Sequence, residues 1–158
     1  MSYITHSGYG YSKILCESVA SWFVNEFFPR HKLTIDIVHR GLKREDVRGY
    51  CDVVGDTQRP RHFLIELDTY MDKELYVKTL FHELTHMAQW IRGSLRHRYG
   101  KLCYCKTPVE NWEYWYMPDE IEAREEEERL YVMYLTDTFG VPVEEPSTSF
   151  SNRLCSPV

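Results

Sequence analysis

His82-Glu83-Leu84-Thr85-His86 sets two imidazoles four residues apart, with a carboxylate next to the first. On a helix, residues at i and i+4 stack on one face, so both rings can converge on a single cation. Zinc accepts imidazole nitrogens at about 2.0–2.1 Å and leaves room for a third protein ligand and a water. Glu83 lies about 100° around such a helix from His82, where it can reach that water without ligating the metal. The chemistry implied is metal-assisted hydrolysis: one zinc ion per chain on His82 and His86, with Glu83 placed to activate a water on the metal. Multiplying the chain's own His and Glu frequencies gives roughly 0.03 chance occurrences of the bare pattern, so its setting has to support it.

The third ligand must come from outside the motif. A G-x-x-H continuation would need Gly at 89 and His at 92, where the chain has Gln89 and Arg92. Three residues remain as candidates: Glu120, His97 and Glu122. Glu120 leads, because a carboxylate at the start of a following helix can face the motif helix if the two pack antiparallel. The small Ala123, one turn later, allows close approach. The bland alternative is a solvated acidic face, suggested by the run Glu125-Glu126-Glu127-Glu128 and by the general preference of acids for helix N-termini.

The elements that must position these residues follow from periodicity. Leu15, Val19, Trp22, Phe23 and Phe27 have helical spacing over 11–28, and Pro29 ends the pattern. Leu33-Thr34-Ile35-Asp36-Ile37 alternates as a half-buried strand; Tyr50–Val54 and His62–Leu67 give two more, separated by a turn over 55–61. A second helix is expected from about Asp72 to Ile91, stopped by Gly93. Its apolar stripe is Val77, Leu80, Phe81, Leu84, Met87, Ala88 and Ile91, with His82, His86 and Gln89 on the other side. Residues 94–117 read as a loop or short hairpin bordering a cleft. A third helix runs from Pro118-Asp119 to about Phe139, stopped by Gly140 and Pro142, and residues 141–158 read as an extended tail.

Composition narrows the function class. The chain has 158 residues, 43% hydrophobic and 27% charged, enough for one ordinary core. Its net charge of -5 argues against a protein devoted to a nucleic-acid backbone, despite the local strip Arg92, Arg96, Arg98 and Lys101. No stretch approaches the roughly 20 apolar residues of a membrane span, and the N-terminus lacks a signal-peptide layout. Five cysteines without that layout read as reduced thiols in a cytoplasmic protein, with Cys103 and Cys105 as packing residues on one strand face.

The two motifs together resemble a zincin metallopeptidase of the branch whose third ligand is a glutamate. Glu120-Ile121-Glu122-Ala123 is similar to the thermolysin-type ligand helix, in which a small residue follows the ligand by three positions. His82, His86 and Gln89 followed by Pro118-Asp119-Glu120-Ile121-Glu122-Ala123 also resemble small phage-encoded SprT-like proteins, and the resemblance spans roughly residues 60–135. It implies an α+β, zincin-like minimal metallopeptidase domain over 1–140. Such a domain has an N-terminal helix, a sheet of three or more strands, the motif helix and a C-terminal ligand-bearing helix. It further implies zinc on His82, His86 and Glu120, a protein or peptide substrate, and, for a phage protein, action in the host cytoplasm.

Two departures matter. Arg124 stands where the thermolysin-type helix has an Asp, so the carboxylate that orients one histidine must be another, Asp68 or Glu127. SprT-like proteins use a third histidine and often add a zinc ribbon with a DNA-related role; this chain has no ribbon, so DNA–protein crosslink repair is not implied. In the expected reaction Glu83 passes the proton to the leaving amine, and Tyr104, Tyr114, Tyr116 or His97 donates to the developing oxyanion. Two rival readings are a zinc-containing binding, regulatory or particle-associated protein with little turnover, and an amidase acting on a non-peptide substrate.

Overall fold

The computed structural model of the chain describes residues 1–140, so the expected tail over 141–158 lies outside the described residues. Four strands form the main sheet: β1 (Tyr3–Gly8), β2 (Thr34–His39), β3 (Gly49–Val53) and β4 (His62–Leu67), in spatial order β1-β2-β4-β3. β1, β2 and β4 are parallel, and β3 pairs antiparallel with β4 at the sheet's edge. Parallel neighbours need a crossover, and α1 (Lys13–Phe27) supplies it between β1 and β2. Ile35, Ile37, Phe63, Ile65 and Leu67 bury one sheet face, while Asp36, His62 and Glu66 lie on the other. On that outer face Asp36 accepts from Thr5 Oγ1 on one carboxylate oxygen and from His62 Nε2 on the other.

α2 (Lys73–Arg92) starts at Asp72, whose carboxylate accepts the Leu75 N–H at 2.9 Å, and ends at Gly93 in the left-handed region. Val77, Leu80, Phe81, Leu84, Met87 and Ala88 sink its apolar stripe into the core shared with α1 and the sheet. α3 (Pro118–Phe139) packs along α2, with Ala123, Leu130 and Tyr134 buried between them. Pro118 fits the first helical turn because its missing N–H would have no intrahelical partner there. The fold is therefore α+β, with three α-helices and two sheets among the described residues.

β1 is not among the strands expected from periodicity, and it brings the main sheet, expected to have three strands or more, to four among the described residues. The segment after α2 is a second sheet, β5 (Leu95–Arg98), β6 (Lys101–Tyr104) and β7 (Thr107–Pro108), followed by a 3-10 turn at Tyr114–Tyr116. Cys105 does not share a strand face with Cys103, since β6 stops at Tyr104 and Cys105 has φ 47°. Cys16, Cys51 and Cys103 are free thiols, whereas Cys105 is disulfide-bonded, against the expectation of reduced thiols throughout. None of the described helices is long and apolar enough to cross a membrane.

Candidate metal centre

His82 and His86 project from the middle of α2 toward the first turns of α3. Their rings meet edge to face with centroids 5.0 Å apart. Glu120 sits in the first turn of α3 and spans both: its Oε2 lies 2.9 Å from His82 Nε2 and its Oε1 3.2 Å from His86 Nε2. Ligand atoms of His82, His86 and Glu120 all fall within 4.8 Å of one another, and this is the one such cluster of three among the described residues. Two imidazole nitrogens and one carboxylate at this spacing suit zinc, which takes N and O donors in a compact tetrahedron and keeps a fourth position open in catalytic sites. The donors fit the ion by chemistry and by spacing.

Each of the two histidines is held by a further group on its other ring nitrogen. Glu127 Oε2 accepts from His82 Nδ1–H at 2.8 Å, and Gln89 Oε1 accepts from His86 Nδ1 at 2.8 Å. Glu127 follows Glu120 by seven residues, two helical turns along the same face. Asp68, the other candidate for this task, is elsewhere, accepting the Leu42 and Thr69 backbone N–H groups. Gln89 Nε2 donates to the Asp119 carbonyl at 3.0 Å and to Glu122 Oε1 at 2.8 Å. Glu122 therefore faces Gln89 and not the metal position. His97 is also outside the site: it is exposed and lies against Trp90, 5.4 Å between centroids.

The acidic run on α3 is not simply a solvated face. Glu126 is fully buried and pairs with Arg129 at 2.7 Å, Glu127 holds His82, and Glu128 pairs with Lys78 at 2.9 Å. The Arg124 guanidinium sits 4.1 Å from the Trp115 ring centroid. Arg92 leaves the basic strip and lies over the Phe28 ring.

Comparison with protein-family models, with curated proteins and with solved structures finds no match. The geometry therefore carries the functional reading.

Glu83 is 5% exposed and lies against β3. A Cβ on Gly49 would come within 2.9 Å of Glu83 Oε1 and 3.0 Å of its Cγ, so only glycine lets the strand approach this carboxylate. Nothing in the sequence marks Gly49 for this role, because the contact joins segments distant along the chain. Burial raises the Glu83 pKa, a shift that the neighbouring histidines oppose. Burial works against charge on His82, but Glu120 and Glu127 outweigh it and lift its pKa to about 10. Burial also disfavours a charged Glu120, yet both histidines hold its carboxyl well below the usual carboxylate range.

Two cavities flank this centre. One, about 310 Å³, runs past His86 between Cys51 of β3 and Trp90, Leu95 and Leu102. The other, about 300 Å³, lies on the His82 side against Asp46, Arg48, Thr79 and Glu127. Both share Gly49, Glu83 and Tyr114. Burial and the Glu120 charge push the Tyr114 phenol up. Tyr104 instead donates to Glu122, and Tyr116 is exposed and lines neither cavity. Burial, aided by Glu83, pushes the Cys51 thiol well up, which keeps it protonated and unsuited to a nucleophile's role.

Proposed function

We propose that the protein is a zinc-dependent metallopeptidase of the glutamate-ligand zincin type, cutting peptide bonds in an extended protein or peptide segment. The observation that carries this reading is the convergence of His82, His86 and Glu120 within 4.8 Å, with the buried Glu83 carboxylate beside them at a two-sided cleft. A zinc ion held there supplies the Lewis acidity that polarises a scissile carbonyl and makes water a better nucleophile near neutral pH.

The remaining work falls to the chain. Glu83 accepts the proton of the attacking water and returns it to the leaving amine; its raised pKa brings it closer to the operating range of a general base. Tyr114, shared by both cavities, is the phenol best placed to donate to the developing oxyanion. β3 offers its free edge to a substrate strand, since backbone pairing with an extended peptide selects for conformation rather than sequence. Side chains flanking the cut then meet unlike walls: Trp90, Leu95 and Leu102 on the His86 side, Asp46, Arg48 and Thr79 on the other.

The test pairs metal content with hydrolysis of an unstructured protein such as casein. Wild type should hold about one zinc per chain, and His86→Ala and Glu120→Ala should lose it. Glu83→Gln should keep zinc and lose at least about a hundredfold in turnover. Zinc bound as expected without hydrolysis of any peptide pool would replace the peptidase by a zinc-containing binding protein. A chain that takes up no zinc would remove the reading altogether.

A further inference from the structure

The structure assigns Gln89, Glu122 and Tyr104 to a positioning relay that decides which ring nitrogen His86 offers to the metal. This rests on the zinc reading above but concerns residues that touch neither metal nor substrate.

Each link is forced by what its atoms can donate or accept. An amide nitrogen only donates, and Gln89 Nε2 faces two acceptors, the Asp119 carbonyl and Glu122 Oε1. Turning the amide around would aim its oxygen at both of them. Gln89 Oε1 must therefore face His86 Nδ1, and a carbonyl oxygen there can only accept. Nδ1 consequently keeps its hydrogen, and Nε2, the nitrogen 3.2 Å from Glu120 Oε1, is the one that can give up its proton and offer a lone pair when a metal displaces it. Tyr104, from β6, donates to the remaining Glu122 oxygen at 3.2 Å and fixes the far end. Gln89 is fully buried and Glu122 is 6% exposed, so solvent does not substitute for these partners.

The first turn of α3 thus does two things at once. Glu120 supplies a ligand, and Glu122, two residues later, orients a second ligand through Gln89. His82 has no such chain: the Glu127 carboxylate touches its ring directly. A neutral amide on one histidine and a carboxylate on the other spares the centre a further negative charge beside Glu83 and Glu120. The relay also ties the β5–β6 hairpin, which walls one cavity through Leu95 and Leu102, to the ligand geometry.

The experiment uses the full chain and zinc itself. Zinc affinity is measured by competition with a chromophoric chelator, and the ring nitrogens of the zinc-loaded protein are observed by nitrogen-15 NMR after histidine labelling. Wild type should show His86 bound through Nε2 with a protonated Nδ1. Gln89→Leu and Glu122→Leu should each weaken zinc by about ten- to a hundredfold and disturb the His86 Nδ1–H signal. Glu122→Gln keeps an acceptor oxygen for Gln89 and should retain most of the affinity. The near-isosteric variant guards against misfolding: if Glu122→Gln loses as much as Glu122→Leu, the relay is wrong. Wild-type affinity and unchanged His86 signals in Gln89→Leu would also overturn it, while leaving the zinc reading intact. Failure of wild type to bind zinc would overturn both.

Discussion

Glu83, Glu120 and Glu127 crowd around the same two histidines, and their surroundings set them apart. Glu83 is buried against Gly49 and its pKa rises, while Glu120 lies between two imidazoles and its pKa falls. Metal-free protein should report this arrangement through its pH-dependent stability. His82 is raised from 6.5 to about 10, so its contribution is full below about 6.5 and is lost as pH climbs toward 10. Glu120 is depressed from 4.5, so its contribution is present above that value and fades as pH falls through the acid range. The pair should therefore stabilise most between these limits. Thermal melts in chelator should show a midpoint that declines from neutral to alkaline pH, with the slope flattened in His82→Gln. An unchanged slope in that variant would place its source elsewhere. Zinc uptake should run the other way, tightening as pH rises, because the ion must displace the proton.

At the scale of elements, the two helices that carry the ligands were legible and the first strand was not. Asp72 and Gly93 bracket α2, and Pro118 and Gly140 bracket α3, so capping chemistry and a wide apolar stripe placed both within a residue or two. β1 gave no such signal: Tyr3-Ile4-Thr5-His6-Ser7-Gly8 is an edge strand with no fully buried side chain. Its anchor is backbone, not pattern. A Cβ on Gly8 would come within 2.0 Å of the His39 carbonyl oxygen, and Gly8 has φ +104°. Gly8→Ala should accordingly destabilise by about 2 kcal/mol or more, read by urea denaturation, through both clash and backbone strain. A loss within experimental error would mean that the β1–β2 contact yields easily. In the site, the i, i+4 histidines were accessible from spacing, and Glu120 was the leading candidate beside His97 and Glu122. The roles of Gln89, Glu122 and Gly49 were not legible, because each acts through a partner that only the packed fold brings near.

For the molecule as a whole, the candidate centre lies where α2 meets the start of α3, two helices that pack along each other and are connected in sequence through the second sheet. A ligand that binds only the folded state stabilises it by mass action, about 2.7 kcal/mol at a hundredfold excess over Kd. Zinc should raise the melting temperature of wild type by several degrees, and Glu120→Ala should lose most of that rise. Equal zinc-dependent shifts in both proteins would show that α3 contributes no ligand. Among the described residues β3 pairs on one side only, and an unpaired sheet edge is a template for any extended backbone, a partly unfolded copy of the same chain included. β3 is only five residues long and carries the exposed Asp52, two features that discourage adhesive growth between sheets. If that edge receives a substrate strand as proposed, replacing Asp52 by an apolar residue should lower the concentration at which the protein begins to self-associate.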